Sequence, residues 1–189
     1  MSVPSTPDMR QKLLDAALDM LRRDGAANLT VRNITEHAGC STTGIYTYFG
    51  GKHGLIEAIF LGGFESFDDS LRPHYEADDL LGAGLAYRRW ALDNPTHYLV
   101  MFGRAVPDYE PSAAAMARAN ESFDLLVKAV AGRGVDDPLS TAHHIHATVH
   151  GYVMLELVGM GPVGRAARDE LYEAGLDQVL AGMATPTGG

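Results

Sequence analysis

Between Leu29 and Leu55 the chain reads LTVRNITEHAGCSTTGIYTYFGGKHGL, and the later part has an unusual chemistry for a surface helix. Thr42, Thr43, Tyr46, Thr47 and Tyr48 place hydroxyls where Glu and Lys would ordinarily keep a helix solvated. A hydroxyl donates and accepts, so such a face suits base edges and phosphate oxygens in a DNA groove. Lys52 follows at the start of the next helix, where its charge and the helix N-terminus can act on one phosphate together. Reading the segment as a plain solvated helix leaves two surface tyrosines and a phased lysine as accidents.

These residues need elements to hold them. Thr30 reads as the cap of a helix with Val31, Ile34 and Ala38 inward, and Gly39 ends it. Ser41 reads as the cap of a short helix reaching Phe49, so two helices joined by a tight turn at Gly39-Cys40 describe a helix-turn-helix. Upstream, Thr6-Pro7-Asp8 reads as a cap, a proline at the first helical position and an early acid. Leu13, Leu14, Ala17, Leu18 and Leu21 then share one helical face until Asp24-Gly25. After Gly50-Gly51 a long helix is expected from Lys52 to about Leu71, with a Gly62-Gly63 pair that eases bending. Pro73 and His74-Tyr75 mark a loop, and later helices are expected to start near Asp79, Pro95, Pro111, Pro138 and Pro162.

The fold class is therefore all-α with about nine helices. An N-terminal three-helix helix-turn-helix domain is expected over residues 1–53 and a linking helix over 52–71. A helical ligand-binding and dimerisation domain is expected over 72–184, with a frayed tail over 185–189. A chain of 189 residues can bury a core without disulfides, and the single Cys40 closes no bridge. The net charge of -9 argues against nucleic acid until its distribution is read. Residues 1–53 hold six Lys and Arg against five Asp and Glu, so the acidity belongs to the later segment. Any DNA affinity must rest on well-placed contacts more than bulk charge. No stretch is long and apolar enough for a membrane span, and residues 1–10 lack the apolar run of a signal peptide, so a cytoplasmic location without membrane contact is expected.

The second half offers an apolar helix from Pro138 to Met160 and a partner stripe after Pro162. A helix apolar almost all round is buried on more than one side, here including a second subunit. Val149, Val153, Leu157, Leu171, Leu176 and Val179 are the expected homodimer residues. Trp90, Tyr98, Met101, Phe123, His146, His150 and Met154 supply soft, aromatic and a few polar groups for a small-molecule pocket, though each also suits a core. His143, His146 and His150 form a helical stripe that could be pocket, packing or metal site. Without an acidic or cysteine ligand on it, pocket or packing is favoured, and no cofactor or metal is expected. Asp93 and Glu156 are potential general acids, but no nucleophile-base pair or phosphate-binding glycine loop accompanies them, so an enzyme is not expected.

The stretch resembles the DNA-binding domain of the TetR family of regulators. The shared pattern is Thr30-Val31-Arg32, Ala38-Gly39-Cys40-Ser41, Gly44-Ile45-Tyr46-Thr47-Tyr48-Phe49, Lys52 and Leu55. The resemblance implies phosphate contacts at Thr30, Tyr48 and Lys52, groove reading by Thr42, Thr43 and Thr47, and a base contact from Arg32. Tyr46 fits either class. Gly51 and His53 depart from the pattern, which commonly has a small polar cap and an acid there. Val149-His150-Gly151 resembles the C-terminal subgroup with a Trp-His-Gly-like signature, with Trp absent. The resemblance implies dimerisation through the last two helices and a ligand pocket in each C-terminal domain. The expected function is a repressor that binds a palindromic operator in double-stranded DNA as a homodimer and is released by an apolar or aromatic small-molecule effector. The alternative is a DNA-binding dimer controlled by a protein partner.

Overall fold

The computed structural model describes residues 6–183, which form nine α-helices and one 3-10 turn without a strand. They are α1 (Thr6–Asp24), the 3-10 turn Ala26–Asn28, α2 (Val31–Ala38), α3 (Thr43–Phe49), α4 (Lys52–Glu76) and α5 (Leu80–Asp93). α6 (Pro95–Phe102), α7 (Ala113–Ala131), α8 (Pro138–Leu157) and α9 (Arg165–Gly182) complete the series. The expected tail over 185–189 and the cap chemistry of Thr6, Pro7 and Asp8 lie outside what is described. The all-α expectation holds, and several of its local causes are visible. Thr30 caps α2, its side chain accepting from the Asn33 amide at 3.2 Å, and Gly39 ends α2 in the left-handed region at φ 68°. Asp79 and Asp137 cap α5 and α8 through the amides of Gly82 and Ser140.

Other boundaries differ from expectation for physical reasons. Ser41 is not the cap of α3; its carbonyl accepts from Gly44, and Thr42 holds the cap position without a side-chain bond. Pro73 does not end the long helix. It sits in the last turns of α4, and Ala77 still donates to the Pro73 carbonyl. Pro111 and Pro162 precede α7 and α9 by a short lead. Ser112 caps α7 by accepting from Ala115 at 3.1 Å, and Gly164 opens α9.

The helices pack as two compact units. The first takes the described residues up to Glu65 with Thr96–Arg118, and the second takes Ser66–Pro95 with the described residues from Ala119. Leu13, Ala17, Leu29, Ile34, Ile45 and Leu55, all without exposure, form the heart of the first. In the same unit the Glu57 carboxylate accepts from the Ser112 amide and hydroxyl at 3.1 and 3.0 Å, fixing the start of α7 to α4. Gly63 lies under Met101, where a Cβ would come within 2.6 Å of the sulfur, so this glycine serves packing.

The second unit is built on Leu80, Leu126, Val130, Ala142 and Ile145. α5, α8 and α9 are also tied by charge. Arg88 makes a bidentate pair with Glu156 at 2.8 and 3.1 Å, reaches Asp169 at 2.7 Å and lies over the Tyr172 ring. Arg88 and Glu156 are largely buried, so removing either of these two would strand a charge at a cost of about 3 kcal/mol. The Tyr172 hydroxyl donates to the Gly84 carbonyl at 2.5 Å, and Gly84 leaves room for Leu176.

One glycine, unremarked in the sequence, sets the join between α3 and α4. A Cβ on Gly54 would stand 1.9 Å from the Phe49 carbonyl oxygen, and backbone cannot swing aside. Gly54→Ala is expected to destabilise by ~1–3 kcal/mol, as overpacking does. Gly62→Ala, with nothing within 4 Å, should be neutral or raise the melting temperature. Thermal unfolding of the two variants checks the contrast.

Candidate nucleic-acid interface

α3 has seven residues, and Ile45 is its only fully buried side chain. Gly44 sets the helix against α1, its Cβ position 3.5 Å from Leu13 Cδ1. With Ile45 pinned inward, Thr43, Tyr46 and Thr47 point to solvent, and Tyr46 is 59% exposed. Thr42 is exposed as well, and its hydroxyl makes no capping bond. Tyr48 is half-buried against Phe49, and Lys52 is half-buried at the start of α4. Thr30 is exposed; its oxygen accepts from Asn33, which leaves its O–H free to donate outward. One face thus gathers four exposed hydroxyl side chains from Thr42 to Thr47 on a helix-turn-helix.

Arg32 is placed differently from a ready base contact. Its guanidinium pairs with Glu36 at 2.8 Å on the surface of α2. Both groups are mostly exposed, so the pair is screened and exchangeable. Arg22, Arg23 and His37 all face Asp19 or Asp24. The two departures from the sequence pattern find backbone solutions. Gly51 takes φ 138° and its carbonyl accepts from Leu55. His53 Nε2 donates to the Glu110 carbonyl at 3.0 Å, and its ring packs near Tyr109. A residue the sequence reading missed is Arg10, whose guanidinium lies 5.3 Å from the centroid of Phe49. No local pattern could flag it, because α1 and the end of α3 meet only in the folded unit.

The expected pocket residues divide. Tyr98 and Met101 belong to the first unit, with Tyr98 against Phe102 and Met101 over Gly63. Trp90, Phe123, His146, His150 and Met154 belong to the second. There Trp90 donates its indole N–H to Ser66 at 3.0 Å. Phe123 and Tyr87 stand edge-on to His146, His143 packs on Phe123, and His150 stacks on His146 at 5.7 Å. Among the described residues no three His, Cys, Asp or Glu side chains are arranged to hold a metal. Glu156 is committed to Arg88.

The expected interface residues also divide. Val149, Val153 and Leu176 lie in the chain's own core, because α8 and α9 pack on each other and on α5. Leu157 and Val179 are half-buried, and Leu171 is exposed. Exposed apolar side chains on α8, α9 and their connection include Leu139, Leu155, Val158, Met160, Val163 and Leu171. Among the described residues no helix is long and apolar enough to cross a membrane.

A short hydroxyl-faced helix held by one buried side chain, in a helix-turn-helix on an all-helical chain, defines a helix-turn-helix DNA-binding protein. The profile described as "Bacterial regulatory proteins, tetR family" matches residues 13–59, and that described as "Tetracyclin repressor-like, C-terminal domain" matches residues 80–179. The chain belongs to the TetR family of transcriptional regulators. It is 25% identical over 114 residues to the HTH-type transcriptional regulator Rv1816 of Mycobacterium tuberculosis, covering 54% of this chain and 48% of that protein. It is 39% identical over 54 residues to the HTH-type nicotine-responsive transcriptional repressor HdnoR of Paenarthrobacter nicotinovorans, covering 29% and 28% respectively. The chain spans about half the length, or less, of these two relatives. The solved structure of the regulatory protein SCO4313 superposes with a TM-score of 0.82 at 28% identity, covering 95% of this chain and all of that one.

The histidine cluster has a measurable consequence. Burial, with His150 and His143 nearby, pushes His146 from its ordinary 6.5 to about 4. Burial lowers His150 too. The unfolded chain takes up a proton near pH 6.5 that the folded chain resists, so stability falls as pH drops from about 6.5 toward 4. His146 alone can contribute at most ~1.4 kcal/mol per pH unit in that window. Denaturant unfolding across the window should show His146→Phe with a flatter pH dependence than the native chain.

Proposed function

We propose that the chain is a cytoplasmic repressor that binds a palindromic operator as a homodimer and lets go when an apolar or aromatic small molecule binds its second unit. The observation that carries the DNA half is the surface of α3, where Thr42, Thr43, Tyr46 and Thr47 stand exposed above a single buried anchor. Thr42, Thr43 and Thr47 are the groove readers, Thr30, Tyr48 and Lys52 the phosphate contacts, and Arg32 joins them by exchanging Glu36 for DNA. Exposed Leu155, Val158 and Leu171 support a second copy packed along α8 and α9, since apolar side chains gathered there favour cover. The aromatic and histidine cluster around His146 supports an apolar effector with one or two polar groups to orient it. Repressor action is supported by the nicotine-responsive repressor among the relatives.

Two recognition helices in one dimer should read half-sites about one turn, ~34 Å, apart. Selection of bound sequences from random duplex DNA is expected to yield a palindrome, and Thr43→Ala to relax preference at particular base pairs within it. Leu171→Asp is expected to yield folded monomers by sedimentation that bind a half-site only. A palindrome-free selection would sink the dimeric-operator reading.

For the effector, linkage sets the test. A ligand that releases DNA must bind operator-bound protein more weakly by the same factor, a coupling of typically ~1–3 kcal/mol. Calorimetry of aromatic compounds with and without operator is expected to give unequal affinities for the effector. Equal affinities across a broad aromatic library would leave control by a protein partner as the better account.

A further inference from the structure

The arginines of α1 and α2 and the lysine in the first turn of α4 are not equivalent. Arg22 and Arg23 are held by Asp19 and Asp24, and Arg32 by Glu36. His37, if protonated, also faces Asp19. Arg10 and Lys52 have no carboxylate partner among the described residues. They also share a location. Arg10, exposed on α1, lies with its guanidinium 5.3 Å from the centroid of Phe49, the last residue of α3. Lys52 follows Phe49 by three residues. The first turn of α4 is pressed onto that same residue, since the Cβ position of Gly54 is 1.9 Å from the Phe49 carbonyl oxygen. One side of Phe49 therefore carries an arginine from a helix remote in sequence, and its carbonyl meets the turn that carries the lysine.

Stacking on an aromatic ring orients a guanidinium and leaves its N–H edge available for an anion. An anion with two such cations beside the hydroxyls of α3 is a nucleic-acid phosphodiester. We infer that Arg10 and Lys52 form a two-cation clamp on the DNA backbone at the C-terminal end of α3, with Phe49 as the platform that aims Arg10. This rests on the DNA-binding reading above and adds to it a contact from α1. It also accounts for how a segment with nearly balanced charge supplies net attraction at one spot: its remaining arginines are locally neutralised and these two cations are not.

The test measures binding of the full chain to a mixed-sequence 30-base-pair duplex as a function of salt, by fluorescence anisotropy. Each phosphate contact contributes ~0.9 to the slope of log affinity against log salt. Arg10→Gln and Lys52→Gln are each expected to lower the slope by about one and the double variant by about two, with unfolding midpoints unchanged. Arg10→Lys should keep most of the slope, because the charge stays. A purely structural role on Phe49 predicts the opposite pattern: a lower unfolding midpoint for Arg10→Gln with the salt slope unaltered. That result would overturn the clamp. Absence of salt-dependent binding by the native chain would overturn the DNA-binding reading itself, and is distinguishable because it precedes any substitution.

Discussion

A seven-residue helix has almost no stability of its own, since nucleation costs more than two turns of hydrogen bonds return. Whatever α3 does therefore depends on what holds it. Three contacts do so: Ile45 in the core, Gly44 against Leu13 of α1, and the Phe49 carbonyl against Gly54 of α4. Burial of Ile45 contributes about 2 kcal/mol, and the two glycines allow α1 and α4 to approach. The reward for so few inward side chains is that Thr43, Tyr46 and Thr47 all face outward. A longer, better-anchored helix would hide the hydroxyls that a DNA groove needs.

The same first unit shows how an element far along the chain supports this arrangement. α4 continues past the reading head, and its Glu57 and His53 hold the Ser112 cap and the Glu110 carbonyl at the start of α7. The start of α7 thus packs with α4 across contacts 55 and 57 residues apart in sequence. Gly63 has the same logic, giving way to Met101.

In the second unit, specificity of packing comes from charge as much as from apolar area. From α5, Arg88 satisfies two carboxylates and an aromatic face on α8 and α9 at once. Such a network contributes little net stability over an apolar substitute, but breaking one partner away leaves a charge uncompensated. His146 is the complementary case: a titratable ring kept neutral among Tyr87, Phe123, His143 and His150. Neutral, it packs as an aromatic group among them.

The sequence by itself determined the helical class, the helix-turn-helix and the outward hydroxyls. Those features rest on signals only a few residues long: Thr30 before Val31, Gly39 after Ala38, Ile45 alone among polar neighbours. Local signals misplaced two helix boundaries. Ser41 reads as a cap, yet the cap position falls one residue later on Thr42, and Pro73 reads as a stop, yet the 25-residue α4 runs on to Glu76. Tertiary structure alone decided that Arg10 meets Phe49, that Trp90 donates to Ser66, and that Val153 lies in its own chain's core. The reason is common to all three. Periodicity states that a side chain faces inward, but which neighbours it meets depends on helix crossings that sequence spacing does not encode.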